Sequence, residues 1–214
     1  MALTFSVVTT PADRVAAALL AVPVGQTRAS SKRNKRVLGP GADAVDGALD
    51  GGLAAFLDET GFEGNLGDTL AVPTAGRLRA KAAVLVGVGD VDKLTVDGLR
   101  RAAAAVARRA TKATSVATTL ASVAPQIPRT DAAQAVAEGI VLGAYQFLEY
   151  KRDGKPTKLT KVSVISDGGA EVRAALERGA TIADAVVWAR DRVNTPSKEK
   201  PPAEMAAEAR RLLR

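Results

Sequence analysis

Three aspartates at helical spacing are the first candidates for chemistry in this chain. Asp43, Asp46 and Asp50 stand at i, i+3 and i+7, so their carboxylates can share one face of a helix. Hard divalent cations prefer oxygen ligands, which makes a metal site one interpretation of this row. Rows of this kind more often form the solvated side of an amphipathic helix, and we favour that interpretation.

Two glycine-containing segments are candidates for phosphate binding through backbone N–H groups. Gly39-Pro-Gly-Ala-Asp43 precedes a predicted helix, and Gly87-Val-Gly-Asp90 follows a predicted strand. A dinucleotide fingerprint needs a third glycine at the start of the helix and an acidic residue about 20 positions later, and a P-loop needs Gly-Lys-Ser or Gly-Lys-Thr. Neither segment completes a signature, so we interpret both as turns.

The charge of the chain is strongly basic and unevenly distributed. Thirty basic and 23 acidic residues give a net charge of +7. Basic residues concentrate in Arg28 to Arg36 and again in Lys151 to Lys161, whereas residues 41–70 hold acids and no base. A nucleic-acid interface is one hypothesis for the two basic segments. The first contains no aromatic side chain to stack on bases, which favours an ordinary solvated loop there.

The residue types that are missing exclude several kinds of catalysis. The chain contains neither histidine nor cysteine, so thiolate zinc sites, His-ligated metals and Ser/His/Asp or Cys/His catalysis are excluded. Lys198, Glu199 and Lys200 lie in a proline-bounded segment that we predict to be exposed and without fixed partners, and they are poor catalytic candidates. No catalytic, cofactor-binding or metal-binding residue is predicted.

Two features of the chain favour a cytoplasmic protein without membrane contact. The start lacks the basic region and the small-residue cleavage pattern of a signal peptide. The longest apolar run, Val15 to Val24, has ten residues, about half of what a membrane helix needs.

Apolar patterning predicts a three-layer α/β/α fold with helices on both faces of a mixed sheet. The first two strands are expected to pair at the centre of the sheet, and residues 25–41 and 150–159 are predicted to be loops. Strands are predicted at residues 3–8, 18–24, 68–73, 82–88, 115–122 and 161–166. Helices are predicted at residues 42–60, bent or split by Gly51 and Gly52, and at 95–111, 130–148 and 169–194.

Two helical patterns bear on packing. Gly139 and Gly143 lie four residues apart on one helix face, which predicts close approach of a neighbouring backbone. The last long helix has apolar residues at i, i+3, i+4, i+7 and i+11, namely Ile182, Ala185, Val186, Ala189 and Val193.

Three segments together resemble the N-terminal part of the leucyl aminopeptidases, the cytosol aminopeptidase family. They are Ala83-Val-Leu-Val-Gly-Val-Gly89, Glu138-Gly-Ile-Val-Leu-Gly-Ala-Tyr-Gln-Phe147 and Ala189-Arg-Asp-Arg-Val-Asn-Thr-Pro196. The second and third are unusual strings that occur in this order and at about this spacing in the family. The resemblance extends over nearly the whole chain.

The resemblance implies a macro-domain-like, non-catalytic N-terminal domain at residues 1–168, a linker helix at 169–196 and the start of a catalytic domain at 197–214. In the family the catalytic domain holds two divalent cations, Mn or Zn, and forms the centre of a homo-hexamer. The family's Asn-Thr-Asp-Ala-Glu-Gly-Arg-Leu segment is absent here, since Asn194-Thr195 is followed by Pro196. The chain alone is therefore expected to be inactive and monomeric or weakly associated.

Two further hypotheses follow from the resemblance and one competes with it. Macro domains bind ADP-ribose, which adds some weight to the two glycine-containing segments as a ligand site. Some bacterial members of the family bind DNA, which keeps the basic segments as a possible DNA interface although no recognition element is identified. The competing hypothesis is a free-standing ligand-binding α/β protein, and the apolar positions of residues 205–213 argue against it.

Overall fold

The computed structural model describes residues 3–28 and 34–212, with seven strands and six α-helices. The strands are β1 (Thr4–Val8), β2 (Leu19–Arg28), β3 (Asn34–Leu38), β4 (Thr69–Val72), β5 (Ala83–Asp90), β6 (Ser115–Thr118) and β7 (Lys161–Ile165). The helices are α1 (Ala42–Ala48), α2 (Leu53–Glu59), α3 (Val96–Arg109), α4 (Arg129–Ala144), α5 (Ala170–Asn194) and α6 (Pro202–Leu212).

The strands form one mixed sheet in the order β1-β7-β6-β2-β5-β4, with β3 beside β2. The pairs β1–β7, β6–β7, β2–β6 and β2–β5 are parallel, whereas β2–β3 and β4–β5 are antiparallel. The first half of β2 pairs with β6, and its second half, Val24 to Arg28, pairs with β3. The predicted mixed sheet is confirmed.

Helices cover both faces of the sheet, as predicted. On one face, α3, α4 and α5 pack over a core that includes Ala21, Val84 and Val86. On the other face, α1 and α2 pack over Leu20, Val22 and their neighbours. The central strand β2 therefore buries side chains on both of its faces, which explains its continuous apolar sequence.

Glycines allow the three helices of the first face to pack backbone against backbone. A Cβ atom on Gly139 would overlap the carbonyl oxygen of Arg100 in α3, and one on Gly143 would lie 2.5 Å from the carbonyl oxygen of Ala104. On the other side of α4, a Cβ on Gly179 of α5 would lie 2.6 Å from the carbonyl oxygen of Gln134. The predicted close approach at Gly139 and Gly143 is confirmed, and α5 adds a third contact of the same kind.

Four sequence predictions are wrong in detail. Strands β1 and β2 do not pair, because β7 and β6 lie between them. Residues 25–41 are not one loop, since β2 continues to Arg28 and β3 begins at Asn34. Helix α4 ends at Ala144 and not at residue 148. Strand β6 ends at Thr118, and a short 3-10 turn, Leu120–Ser122, replaces the rest of the predicted strand.

The helix boundaries otherwise follow the sequence signals. Residues 42–60 form two helices, separated at Gly51 and Gly52. Thr95 caps α3, because its hydroxyl accepts a hydrogen bond from the Gly98 N–H at 3.1 Å. Helix α5 ends at Asn194, where Thr195 turns extended before Pro196.

Gly139→Ala is expected to destabilise the protein by about 1–3 kcal/mol, because the added methyl group must displace the α3 backbone. The matched control is Gly47→Ala in α1, where a Cβ meets nothing within 4 Å. That substitution should raise the free energy of unfolding by up to about 1 kcal/mol, the usual gain of alanine over glycine in a helix. Urea unfolding of both variants measures the difference. Equal effects of the two substitutions would contradict the close-packing account.

Candidate functional site

The three aspartates of the acidic row do not form a site. Asp46 accepts a hydrogen bond from the Leu53 N–H at 3.0 Å and so ties α2 to α1. Asp50 pairs with Arg77, and Asp43 lies in the first turn of α1. Within residues 3–28 and 34–212, no group of three acidic, histidine or cysteine side chains could hold a metal ion. The described residues therefore do not fit the two-metal centre that the resemblance implies for the full enzyme.

Gly87 and Gly89 lie within the last part of β5, not in a turn as predicted, and they are engaged within the protein. The Gly87 N–H donates to the carbonyl oxygen of Asp68 at 2.8 Å, and the Gly89 N–H donates to that of Gly64 at 2.9 Å. A Cβ on Gly87 would overlap the carbonyl oxygen of Asn65, so this glycine lets the segment before β4 lie directly on β5. These two N–H groups are consequently not available to a phosphate, which argues against Gly87 to Asp90 as a ligand site.

The Gly39 to Asp43 segment does border a cavity, but its chemistry is acidic. The cavity has a volume of about 350 Å³ and lies beyond the carboxyl ends of β1, β6 and β7. Asp13, Asp43 and Asp167 line it together with Gly41 and Thr119. Asp13 and Asp167 are paired with Arg14 and Arg129, and no lysine or arginine is among the lining residues to receive a phosphate, so the geometry gives no support to a nucleotide at this position.

The described residues of the two basic segments lie on different elements of the structure. Of the first, residues 29–33 lie outside the described residues, and Arg36 on β3 forms an ion pair with Asp58 at 2.6 Å. Of the second, Lys151 and Lys155 lie in an exposed loop, and Lys161 begins β7. The described parts of the two segments are not on one helix or strand that could enter a groove of DNA.

The most specific polar arrangement joins two of the three family-like strings, those that contain Tyr145 and Asp191, at the end of α5. The Tyr145 hydroxyl donates to Asp191 Oδ1 at 2.8 Å, and Asn194 Nδ2 donates to the Tyr145 hydroxyl oxygen at 3.1 Å. The Arg190 guanidinium lies 5.7 Å from the centroid of the Tyr145 ring. The buried Thr195 hydroxyl donates to the Asp191 carbonyl oxygen at 2.7 Å and closes the end of the helix. We call this group of five residues the junction.

The Glu138 to Phe147 string also supplies a buried charge between the helices. Arg100 Nε of α3 donates to Glu138 Oε2 at 2.6 Å, and Gln134 Nε2 donates to Glu138 Oε1 at 2.7 Å. Arg178 of α5 in turn donates to Gln134 Oε1 at 2.7 Å. Glu138 is buried and both of its carboxylate oxygens accept hydrogen bonds, so it links α3 to α4 and, through Gln134, to α5.

A second set of polar contacts attaches α6 to the end of α5. Arg192 Nη1 donates to both carboxylate oxygens of Glu208 at 2.6 Å, with both side chains mostly buried. Lys200 Nζ donates to the Arg192 carbonyl oxygen, and the Tyr150 hydroxyl donates to Glu199 Oε2 at 2.6 Å. The prediction that Glu199 and Lys200 lack fixed partners is wrong, because the turn before α6 folds back onto α5.

Both tyrosines of the chain are held in their neutral form by these contacts. Burial, followed by the hydrogen bond to Asp191, raises the pKa of Tyr145. The hydrogen bond to Glu199 is the largest cause that raises the pKa of Tyr150, to about 12. A phenol that donates to a carboxylate resists ionisation, because ionisation would place two negative charges side by side.

Comparison with models of known protein families shows which family this chain resembles in sequence. A family model described as the N-terminal domain of the cytosol aminopeptidase family matches residues 21–154. The chain belongs to the cytosol aminopeptidase family. The matched region contains the first string and the Glu138 to Phe147 string, including Tyr145 of the junction.

Curated relatives extend the match beyond the family model. The chain is 35% identical to a probable cytosol aminopeptidase of Streptomyces avermitilis, over 88% of this chain and 39% of the relative. It is 34% identical to a probable cytosol aminopeptidase of Streptomyces coelicolor, over 97% of this chain and 42% of the relative. The chain therefore spans about two fifths of the length of these relatives.

Solved structures share the fold. A mutant of tomato leucine aminopeptidase superposes with a TM-score of 0.79 at 21% identity, over 98% of this chain and 41% of that one. The bottromycin maturation enzyme BotP in complex with Mn superposes with a TM-score of 0.69 at 30% identity, over 92% of this chain and 36% of that one. The mixed sheet with helices on both faces is thus the fold of an aminopeptidase N-terminal region.

Sequence reasoning identified the strings but missed their contacts. Tyr145 and Asp191 were recognised in separate strings, and no local signal indicates that a hydrogen bond joins them. Arg192 and Glu208 carried no signal beyond opposite charge.

In the part of the chain that the structure describes, no helix is both long and apolar enough to span a lipid bilayer.

The alkaline titration of the tyrosines tests the second set of contacts. Because the pKa of Tyr150 is raised from 10.0 to about 12, the stability gained from its contact with Glu199 is complete below pH 10 and is lost as the pH rises towards 12. Glu199→Gln should lower this pKa towards 10 by removing the negative charge. Near-ultraviolet phenolate absorbance measures the pKa of Tyr150 in the unmodified chain and in Glu199→Gln. The Tyr150→Phe variant shows which ionisation step belongs to Tyr150. Ionisation of Tyr150 near pH 10 in the unmodified chain would contradict the contact.

Proposed function

We propose that this chain is the accessory N-terminal part of a leucyl aminopeptidase, a metal-dependent hydrolase that removes N-terminal residues from peptides. The observation that carries the proposal is the family match over residues 21–154 in a chain that spans about two fifths of its curated relatives. The described residues provide no cluster that fits a metal ion, which is consistent with a role outside the chemistry.

The chemistry would then belong to the remaining part of a longer enzyme. Two divalent cations, Mn or Zn, would there polarise the scissile carbonyl and lower the pKa of the attacking water. The Mn complex of the similar protein BotP supports manganese as the first metal to test. In this proposal residues 1–168 are the macro-like accessory domain, 169–196 are the linker helix and 197–214 begin the catalytic domain.

The exposed apolar stripe of α5 supports a catalytic domain as the partner of this chain. Ile182, Val186 and Val193 are 43%, 37% and 81% exposed, although they continue one face of a 25-residue helix. Leu176 and Ala183 of the same helix are buried. We infer that the catalytic domain covers this stripe, because relatives carry more than half of their length beyond the matched region.

The polar contacts around the end of α5 suggest how the two parts are oriented. The junction fixes the last turn of α5, and the Arg192–Glu208 pair fixes the start of the proposed catalytic domain against it. The assembled enzyme would be cytoplasmic and homo-hexameric, with catalytic domains at its centre. No contact among the residues that the structure describes favours a DNA-binding function.

An activity assay separates the two parts of the proposal. The 214-residue chain should show no hydrolysis of a leucyl anilide with added Mn²⁺, because the described residues contain no group of three acidic, histidine or cysteine side chains that could hold a metal ion. The longer protein from the same source is the positive control and should show metal-dependent turnover. Turnover by the 214-residue chain that is abolished by chelation would contradict the proposal.

Substitution in the stripe tests the partner. Val186→Gln should change the stability of the 214-residue chain by less than about 0.5 kcal/mol, because the side chain is exposed. In the longer protein it should lower the melting temperature and loosen the contact between the two domains. Thr181→Gln is the control, at an exposed position of the same helix outside the stripe. If the two variants behave alike in the longer protein, the stripe is not the covered surface.

A further inference from the structure

A second cavity opens at the amino ends of the parallel strands, on the side of the sheet opposite the cavity that Asp13, Asp43 and Asp167 line. It has a volume of about 450 Å³ and lies where β2 and β5 begin and where β4 and α3 end. Its floor consists of small apolar side chains, and we call the cavity the amino-edge basin. The residues that carry the argument are Ala71, Val72 and Ala83 in the floor and Lys81, Arg109 and Lys112 at the rim.

The rim of the basin carries uncompensated positive charge. Lys81, Arg109 and Lys112 are exposed, and none of them forms an ion pair or a side-chain hydrogen bond with the described residues. No aspartate or glutamate lines the basin. Lys158 and Lys161, on the segment that leads into β7, add positive charge near the same edge. The basin thus differs in sign from the cavity lined by Asp13, Asp43 and Asp167.

The backbone that bears these cations is fixed on both sides of the basin. The Lys81 N–H donates to the Ala17 carbonyl oxygen at 3.0 Å, and the Ala18 N–H donates to Ser115 Oγ at 2.9 Å. The Lys158 N–H donates to the Thr111 carbonyl oxygen at 2.8 Å, next to Lys112. The cations therefore extend from a preformed frame, which lowers the entropic cost of binding between them.

We propose that the amino-edge basin binds a small phosphate-bearing molecule with an apolar portion. Two lysines and an arginine match a phosphate dianion, and the guanidinium of Arg109 can donate two parallel hydrogen bonds to phosphate oxygens. The alanine and valine floor receives the apolar portion. A compact ligand is favoured over a nucleic acid strand because no aromatic side chain lines the basin to stack on bases. The proposal is independent of the aminopeptidase function.

Arg108 provides the matched control for this site. It is exposed and adjacent to Arg109 in the last turn of α3, and it lies outside the basin. A favourable interaction with the carboxyl end of the helix accounts for both arginines equally. Only a ligand in the basin distinguishes them.

The experiment is an NMR titration of the isotope-labelled 214-residue chain with phenyl phosphate and, separately, with inorganic phosphate. Saturable shifts are expected at the amides of Ala71, Ala83 and Ala113, with phenyl phosphate binding more tightly than inorganic phosphate. Arg109→Gln should weaken phenyl phosphate binding by about tenfold or more, the loss of a charge-assisted bidentate contact. Arg108→Gln should change it by less than about twofold.

Three results would overturn the proposal. They are shifts that do not saturate, equal weakening by Arg108→Gln and Arg109→Gln, and phenyl phosphate binding no tighter than inorganic phosphate. A titration with random-sequence duplex DNA adds a separate arm. If DNA binds more tightly than phenyl phosphate and both variants weaken it equally, the cations form a diffuse polyanion-attracting surface and not a small-molecule site.

Discussion

The close approach of α4 to the helices on either side of it is the contact on which the rest of the structure depends. The chain has 43 alanines and only seven aromatic residues, so large side chains contribute little to its core. Gly139 and Gly143 bring α4 against α3, and Gly179 brings α5 against α4. Dispersion contacts at these short distances replace the larger buried area that aromatic side chains provide in other cores. Glu138 then completes the contact with hydrogen bonds that only this spacing permits.

This packing also determines how the end of α5 is held. Because α4 and α5 lie directly side by side, Tyr145 after the end of α4 meets Asp191 in the last turn of α5. Tyr145 is extended, and α4 ends before it although neither a glycine nor a proline stands at this position. Arg192 then holds Glu208 of α6. The two strings that identify the family are therefore explained by one structural task, which is to fix the direction in which the chain continues towards the proposed catalytic domain.

Local patterns in the sequence predicted most of the helices and strands. They predicted few of the strand pairings and hydrogen bonds that join them. The apolar runs located β1 and β5, and the cap at Thr95 located the start of α3, because both signals are local. The pairing of β1 with β7 depends on residues more than 150 positions apart, which no local pattern reports. Strand β3 was missed because an edge strand rich in charge resembles a loop. The turn interpretation of the Gly87 segment was wrong, because β5 continues to Asp90, and the residues that accept from its N–H groups, Gly64 and Asp68, were not foreseeable.

The measurement that tests the central claim most directly is the intact mass of the protein that contains this chain in its source cells, isolated with an antibody raised against residues 1–214. The claim is that the chain is the accessory part of a longer aminopeptidase. It predicts a mass more than twice the 22.0 kDa of the chain, because the chain spans about two fifths of its relatives. A mass of 22.0 kDa would contradict the claim and would make the chain a stand-alone module, whose function would have to be sought in what it binds.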